Sequence, residues 1–387
     1  MVRRHLPVRG VAAVILAGLA LAACSSSSPS PAPAASPSSA LQQELRELVA
    51  VPGGPPGAIA LIDVDGQVDV STAGVNVVGS TQAITPDETV RIASISKAYS
   101  GAIALSLVSQ GKLSLTATVG QLVPGLPADW APVTLAQLLH HTSGVPDYIK
   151  SPDFLQELQA DPHAQLTPMQ LLGYVSDEPL LFPPGSRYDY SDSDNIIVGL
   201  MVEAVTGTPY TSALARYVTG PLRTPATSLP DDATLPEPYV HGYAVGDDDA
   251  HEDVSTALNP ALAWASGGML STAAGLDTFI RAYASGTLVD AAARAAQLQF
   301  IPGESGPPGP GTNSAGLGIF RYQTSCGTVY GHTGNFPGYT LFAAANPAGT
   351  RSAVVFVNQQ LTYDPPSTAF TELRQADELA VCAALRS

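Results

Sequence analysis

The sequence predicts an α+β domain in which one antiparallel sheet takes strands from both chain ends and a mostly helical lobe is inserted between them. Three observations predict this layout: strand-like segments near both ends, helical patterns in the middle, and a long amphipathic helix at the C-terminus. With 387 residues, 45% of them hydrophobic, the chain is long enough for one large domain or two medium ones.

Composition excludes several function classes. The formal net charge is −16, from 17 Lys and Arg against 33 Asp and Glu, and no basic run follows the first ten residues. We therefore expect no nucleic-acid partner, because phosphate contact needs clustered basic side chains. Three cysteines without a C-x-x-C pair exclude a thiolate zinc site, and the chain has neither H-E-x-x-H nor a P-loop. No metal and no cofactor are expected.

The N-terminus predicts export. Three arginines within the first nine residues precede an apolar run, 11–23, that is too short to cross a bilayer but suits a secretory signal peptide. The run ends in Leu21–Cys24 (LAAC), which resembles the bacterial lipoprotein cleavage box, so Cys24 is the expected lipidated residue. The alternative is an ordinary signal peptide with a chance cysteine. We expect a protein anchored through Cys24 on the outer face of the cytoplasmic membrane.

The domain boundaries follow from composition. Residues 1–23 are assigned to the signal peptide, and 24–39, almost entirely Ser, Pro and Ala, to a flexible tether. Residues 40–387 form the predicted folded domain. Its sheet lobe is expected at about 40–93 and 265–387, and its helical lobe at about 94–264.

Each chain end supplies strands and a covering helix. Ala40–Val51 has a helical rhythm, and the strands Ala58–Val64 and Val68–Ala73 flank the turn signal Asp65-Gly66. The C-terminal end mirrors this pattern. Its predicted strands and its last helix are Thr328–Thr333, Tyr339–Ala345, Ser352–Asn358 and Thr368–Leu385. Gly303–Gly318, rich in Gly and Pro without a period of three, is predicted as a loop.

Two cysteines remain in the expected mature domain, Cys326 and Cys382. In an exported protein such a pair favours one disulfide. The alternative is two buried free thiols, since cysteine is among the most buried residue types.

The candidate nucleophile is Ser94. It stands three residues before Lys97 and ahead of the helical run Ala98–Gln110, so both side chains are predicted on one helix face. A helix N-terminus favours developing negative charge, and a partly buried lysine can accept a proton. Taken alone, S-x-x-K is a weak motif, and the alternative is a serine N-cap with a solvated lysine.

Further motifs strengthen this hypothesis. They are Leu138–Gly144 (LLHHTSG), Tyr188–Asp192 (YDYSD) and Gly331–Gly334 (GHTG). With S-x-x-K, this set resembles the serine β-lactamase and penicillin-binding family, in the class C-type branch that includes secreted D-alanyl-D-alanine carboxypeptidases. The resemblance covers about Ala40 to Leu385, and the motifs occur in the family's order and rough spacing. Ser325–Gly327 (SCG) and Cys382 resemble the carboxypeptidase branch and support the disulfide.

The resemblance implies the following roles. Ser94 would be acylated, Lys97 would share the proton abstraction, and Tyr190 would move a proton between Ser94 and the leaving group. His332, Thr333 and Gly334 match the family's K-T-G strand, the backbone N–H groups of Ser94 and Asn335 would form the oxyanion hole, and Trp264 would wall the pocket.

Each role has a structural alternative. Tyr190 is otherwise an ordinary half-buried tyrosine, His332 a hydrogen-bonded strand histidine, and Trp264 a core residue. His141 is expected to fix its loop rather than touch substrate. The acidic runs Asp247–Asp249 and His251–Asp253 are interpreted as a solvated loop, not a metal site.

Two departures from the family pattern bear on the substrate. Asp192 stands where the family has Asn, and an ionised Asp only accepts hydrogen bonds, whereas Asn also donates. If Asp192 pairs with Lys97, Tyr190 becomes the better base candidate. Close carboxypeptidase relatives have two arginines before the Ser-Cys-Gly segment, one of which binds the substrate carboxylate. Here the pair reads Phe320-Arg321, so Arg321 is the remaining candidate for that contact.

The sequence thus predicts a monomeric serine hydrolase that acts through an acyl-enzyme on a D-alanyl-D-alanine wall peptide and also binds β-lactams. Alternatives are a β-lactamase, a small-ester hydrolase, or a surface lipoprotein that binds wall peptides without catalysis. Activity is expected to fall below about pH 6.5 if a neutral His332 or Lys97 is needed.

Overall fold

Strands from the two chain ends pair directly in the computed structural model, which describes residues 1–2, 37–246 and 250–386. Antiparallel pairing runs from Ala58 opposite Val357 to Val64 opposite Arg351. The main sheet contains, in spatial order, β2 (Gln67–Gly74), β1 (Gly57–Val64), β12 (Arg351–Val357), β11 (Tyr339–Ala345), β10 (Gly327–Phe336), β9 (Phe320–Thr324), β8 (Thr312–Ala315) and β7 (Ile301–Pro302). This confirms the predicted α+β fold with a sheet built from both ends.

The helices occupy the middle of the chain and its two ends. They are α1 (Pro37–Val49), α2 (Ser96–Ser109), α3 (Val119–Leu122), α4 (Leu135–Leu139), α5 (Pro152–Ala160), α6 (Pro168–Gly173), α7 (Asp192–Thr206), α8 (Tyr210–Leu214), α9 (Gly220–Leu222), α10 (Trp264–Gly267), α11 (Ala273–Ser285), α12 (Ala291–Gln297) and α13 (Thr368–Arg386). Two short strand pairs lie outside the main sheet: β3 (Val90–Arg91) with β6 (Leu270–Ser271), and β4 (Tyr243–Val245) with β5 (His251–Asp253).

The central strands of the sheet, β1, β12 and β11, are buried on both faces. Along β1, Ile59 and Leu61 join the core beneath the helical lobe, whereas Ala60 and Ile62 face the opposite core. That second core is closed by α1 and α13, which pack on each other and on the sheet. Because side chains alternate along a strand, a continuously apolar strand such as β1 belongs between two layers. The result is a three-layer domain.

Two predicted boundaries need correction. Helix α1 begins at Pro37, so the tether does not extend to residue 39. The predicted loop Gly303–Gly318 contains β8, whose Thr312 and Ala315 pair with Gln323 and Phe320 of β9. A four-residue strand among glycines and prolines has too little periodicity to be recognised locally, and its backbone pairing to β9 forms only in the fold.

The predicted export segment is largely outside the described residues. Apart from Met1 and Val2, the signal peptide is not described, and neither are Cys24 and the tether up to Ser36. The acidic run Asp247–Asp249 also lies outside the described part of the chain. No helix of the described ranges combines the length and apolar character needed to cross a membrane.

A disulfide ties the last helix to the sheet. Cys326, in the turn between β9 and β10, is joined to Cys382 of α13, with their Cα atoms 5.1 Å apart. The crosslink holds α13 against the strands that carry the candidate active site.

Candidate active site

Ser94 lies in a short 3-10 turn, Ala93–Ile95, directly before α2. Helix α2 begins at Ser96, two residues later than the sequence suggested, but Lys97 Nζ still donates to Ser94 Oγ at 3.0 Å. Ala93 has a φ of +50°, in the left-handed region that a non-glycine residue occupies at a cost. The turn before the nucleophile is therefore held in a strained shape by its surroundings.

Strand β10 runs close to this turn. A Cβ atom on Gly334 would lie 2.6 Å from the carbonyl oxygen of Ile92 and 3.0 Å from the Cβ of Ala93. Only glycine permits this approach. It brings Asn335 to the same cleft as Ser94, and both residues line it.

Lys97 is completely buried, and its ammonium group has three acceptors. Nζ donates to Ser94 Oγ at 3.0 Å, Asp192 Oδ1 at 2.7 Å and the carbonyl oxygen of Ser266 at 2.9 Å. An ammonium has three N–H donors, so all of them are used. The Asp192 carboxylate supplies the compensating charge that a buried cation needs. In the resting site Lys97 is thus held as a hydrogen-bonded cation.

Tyr190 lies over Lys97, with the centre of its ring 5.0 Å from Nζ. Its buried hydroxyl makes no hydrogen bond to any of the described residues. Burial, followed by the charge of Asp192, raises the pKa of Tyr190 well above its usual value of 10, and the nearby Ser94 hydroxyl offsets part of this rise. The hydroxyl therefore keeps its proton in the free site. This geometry favours Tyr190 as a proton donor over the base role that the sequence suggested.

His332 lies behind Tyr190 on β10, with the two ring centres 6.5 Å apart. Its Nδ1 is 2.6 Å from the carbonyl oxygen of Thr333, and the Phe320 ring packs edge-on against it at 5.0 Å. Burial lowers the pKa of His332 to about 3. The ring is thus neutral at and above pH 5, and the expectation of a His332 titration near pH 6.5 is wrong because water does not reach the ring.

The His-Thr-Ser-Gly loop is anchored by a carboxyl group that sequence reasoning missed, Asp194 of α7. Its Oδ2 is 3.0 Å from His141 Nδ1, and its Oδ1 accepts from Ser143 Oγ at 2.5 Å. The His141 ring packs 4.5 Å from that of Tyr190. His141 therefore fixes its loop, as expected, and also supports the tyrosine. Asp194 could have been recognised in the sequence from its position two residues after Asp192.

Arg321 does not reach the cleft. On β9, Phe320 packs on His332, whereas Arg321, which pairs with Tyr330 of β10, is held by neighbours outside the cleft lining. Its Nε donates to Ser314 Oγ at 2.9 Å, and its guanidinium stacks 4.7 Å from the centre of the Phe300 ring. The expected carboxylate contact is therefore corrected: Arg321 lies outside the cleft lining.

Two other expected substrate contacts lie elsewhere. The Trp264 ring packs on Gly199 of α7, where a Cβ would come within 2.5 Å of it, and lies 5.3 Å from the Tyr210 ring. Trp264 is thus a packing residue outside the cleft lining, not a pocket wall. The buried Thr333 hydroxyl donates to the carbonyl oxygen of Pro307 at 2.6 Å, so it is already committed within the protein.

The cleft above Ser94 has a volume of about 980 Å³ and two kinds of lining. One wall is apolar: Ile149, Phe154, Leu155, Leu158, Leu258 and Leu262. The other lining residues include five carboxylates and one lysine: Asp147, Asp189, Asp192, Glu304, Asp364 and Lys150. Of these six charged residues, Asp192 alone was recognisable as a site residue from the sequence. Loops separated by more than 200 residues supply the rest, so their meeting is a tertiary event.

Asp147 is buried beside Asp192. Its Oδ1 accepts from the backbone N–H of Asp192 at 3.0 Å, and its Oδ2 is 3.4 Å from Lys150 Nζ. Burial and the Asp192 charge raise the pKa of Asp147 to about 7, against the smaller opposing effects of Lys150, the Asp192 N–H and Lys97. Asp147 thus has a pKa in the neutral range and lies next to Asp192, the partner of Lys97.

Within the described residues, one group of side chains lies close enough together to bind a metal ion: Cys326, Glu378 and Cys382. The two sulfurs of this group are joined in the disulfide. The described part of the acidic run, His251–Asp253, forms β5, where His241 Nδ1 lies 2.6 Å from Asp253 Oδ2.

Comparison with known proteins finds a matching family model and several similar proteins. The family model described as β-lactamase matches residues 41–378. Penicillin-binding protein 4 of Amycolatopsis lactamdurans is 28% identical over 186 residues, which cover 47% of this chain and 45% of that protein. The match therefore spans less than half the length of that relative.

Solved structures resemble almost the whole domain. A D-stereospecific amidohydrolase from Streptomyces sp. superimposes with a TM-score of 0.76 at 29% identity, covering 87% of this chain and 97% of that one. The D-amino acid amidase of Ochrobactrum anthropi SV3 gives a TM-score of 0.79 at 22% identity, covering 90% and 98% of the two chains. The second likeness shows the fold alone.

Proposed function

The chain belongs to the β-lactamase family and is a serine hydrolase. From this premise we propose that it hydrolyses amides whose acyl group has the D configuration, and that the reaction passes through an ester on Ser94. The observation that carries the proposal is the hydrogen-bonded series Ser94–Lys97–Asp192 in the floor of an open cleft. The D configuration and the amide bond are supported by the likeness to the D-stereospecific amidohydrolase.

Acylation begins with attack of Ser94 Oγ on the amide carbon. The Ser94 proton passes to Lys97 Nζ at 3.0 Å, and Asp192 Oδ1, at 2.7 Å from Nζ, takes the proton that Nζ must release. The two groups therefore act as one proton acceptor. The backbone N–H groups of Ser94 and Asn335 are the proposed donors to the developing oxyanion.

Tyr190 completes the step by protonating the leaving nitrogen. Its hydroxyl is protonated and lacks a partner, so it can donate when the C–N bond breaks. The proton stored on Lys97 and Asp192 then restores the tyrosine. Deacylation repeats these transfers with water in place of serine, and the products are a carboxylic acid and an amine or ammonia.

A D-alanyl-D-alanine carboxypeptidase is the second candidate. Its substrate ends in a carboxylate, and Lys150, whose side chain is 64% exposed, is the one cation among the residues that line the cleft. The displacement of Arg321 from the cleft weighs against this candidate, because a lysine gives no bidentate clamp.

Mass spectrometry and amide hydrolysis together test the proposal. We expect release of ammonia from D-alaninamide and D-phenylalaninamide and little from the L-enantiomers. Incubation with a penicillin should yield one adduct on the peptide that contains Ser94. Preferential release of D-alanine from a D-alanyl-D-alanine peptide would favour the carboxypeptidase, and rapid penicillin consumption without an adduct would favour a β-lactamase.

We further propose that the mature protein is exported and lipid-anchored through Cys24, on the strength of its N-terminal sequence. Metabolic labelling with a radioactive fatty acid should mark the protein, and the Cys24→Ala variant should lose the label. Labelling of that variant at the parent level would contradict the assignment.

A further inference from the structure

Two carboxylates beside the nucleophile have acceptor capacity left over. Asp192 Oδ1 binds Lys97, but Oδ2 makes no hydrogen bond to any residue in the described ranges. Among the described residues, the partner of Asp147 Oδ2 is Lys150, at 3.4 Å, and the Lys150 side chain is 64% exposed. Both aspartates line the cleft. A substrate group that fills this space must therefore offer hydrogen-bond donors.

The distance to Ser94 limits which part of the substrate reaches these oxygens. The bonds from Lys97 Nζ to Ser94 Oγ, 3.0 Å, and to Asp192 Oδ1, 2.7 Å, share one atom, so Oγ and Oδ1 are at most 5.7 Å apart. An α-amino nitrogen lies about 2.5 Å from its own carbonyl carbon. An amino group on the acylating residue therefore lies close enough to Ser94 for Asp192 to bind it.

The carboxylate of Asp192 favours a free ammonium group over an N-acylated nitrogen at this position. An asparagine at this place donates its amide N–H to the carbonyl of an N-acylated substrate, whereas an ionised aspartate repels that carbonyl and attracts an ammonium. The charge of the cleft points the same way, since five carboxylates and one lysine line it. A free ammonium is therefore favoured over an acylated nitrogen.

The apolar wall indicates what else the acylating residue carries. Ile149 and Leu155 are 39% and 43% exposed, and they lie in the cleft with Leu158 and Leu262. Exposed apolar side chains that converge in a catalytic cleft are typical of a ligand contact. The acylating residue is thus expected to have a large apolar side chain.

We propose that Asp192 and Asp147 form a subsite for the unblocked α-ammonium group of the acylating residue, so that the substrates are amides of free, apolar D-amino acids. This inference rests on the proposed amide hydrolysis and deepens it. Peptides and β-lactams that are N-acylated at this position would be poor substrates.

Paired substrates test the inference. D-phenylalaninamide and N-acetyl-D-phenylalaninamide differ only in the amino group, and the wild-type protein should prefer the free amine by about 100-fold in kcat/KM. Asp192→Asn should remove most of this preference and improve the relative rate on the acetylated substrate, because Asn can donate to its carbonyl. A structural defect alone would lower both rates and leave their ratio unchanged.

Two further variants keep the test decisive if Asp192→Asn is inactive. Asp147→Asn should raise KM for the free amine while leaving KM for the acetylated amide within about twofold. Asp189→Asn is the matched control, since it removes the same charge from the cleft but from a carboxylate paired with Arg187 at 3.4 Å, and its ratio should stay at the parent value.

The outcomes separate the two proposals. Equal hydrolysis of both amides by the wild type, or an Asp147→Asn variant that keeps the parent ratio, would overturn the ammonium subsite and leave the Ser94 hydrolase standing. No hydrolysis of either amide and no Ser94 adduct with penicillin would overturn the proposed function and this inference together.

Discussion

The proposed nucleophile, Ser94, has a neighbour, Lys97, whose three N–H donors are all committed. Lys97 differs from a neutral lysine base because of Asp192. The buried carboxylate of Asp192 binds Lys97 Nζ at 2.7 Å. A buried ion pair of this kind costs desolvation, and in the proposed mechanism the same pair accepts the serine proton.

Replacement of Ser94 by Ala should abolish turnover and covalent labelling. We expect a fall in kcat of about 1000-fold or more, since the ester can no longer form. The circular dichroism spectrum and thermal midpoint should match the parent, because Ser94 is half-exposed in a turn. Turnover of the Ala variant at the parent rate would show that another residue is the nucleophile.

The raised pKa of Asp147 predicts that KM for a free D-amino acid amide depends on pH. Because its pKa is raised to about 7, the group is ionised above that pH and becomes neutral as the pH falls through it. KM for a free D-amino acid amide should therefore rise below pH 7, by up to about tenfold per unit, while KM for the acetylated amide stays flat. Steady-state kinetics from pH 5 to 8 would measure this, with Asp147→Asn as the control that lacks the transition.

At the scale of elements, β10 positions the catalytic turn. Its residue Gly334 lies against Ile92 and Ala93, and its next residue, Asn335, shares the cleft with Ser94. The neighbouring strand β9 bears on specificity, because its Phe320 packs on His332 while its Arg321 is held by Ser314 and Phe300 outside the cleft lining.

Gly334→Ala should separate β10 from the Ser94 turn. A Cβ at 2.6 Å from a backbone oxygen forces a shift, and we expect kcat to fall by about 10- to 100-fold with a stability loss of about 1–3 kcal/mol. Gly173→Ala is the control, because a Cβ there meets nothing within 4 Å. Acylation rates and urea unfolding of both variants would check this. Parent-level activity of the Gly334→Ala variant would show that the close approach is dispensable.

At the scale of the whole molecule, the two chain ends hold the domain together. Strand β1 pairs with β12, α1 packs on α13, and the disulfide joins α13 to the β9–β10 turn. The lobe that carries the candidate active site is inserted between these ends. The layer formed by α1 and α13 therefore depends on contacts between segments far apart in the sequence.

Loss of the disulfide should destabilise this assembly without disabling the site. The bond closes a loop with a sequence separation of 56, which corresponds to about 4 kcal/mol of free energy of unfolding in the chain-entropy model. Neither cysteine lines the cleft, so a Cys326→Ser/Cys382→Ser protein should still acylate at 25 °C. Denaturant unfolding and penicillin labelling would measure both effects. An unchanged unfolding midpoint would contradict the role of the crosslink.

The sequence by itself determined the apolar runs of β1, β11 and β12, the terminal helix, and the motifs that contain Ser94, Tyr190 and His332. These are local patterns, and each can be read within a window of about 20 residues. Asp192 was also recognisable, since it interrupts a known motif.

Only the tertiary structure decided which side chains face the cleft. Asp147, Lys150 and Glu304 come from loops without periodicity, and the direction of Arg321 depends on the register of a strand that has no clear hydrophobic pattern. Burial likewise holds His332 neutral with a pKa of about 3. Such properties arise from surroundings that distant segments supply, and a local pattern contains no record of them.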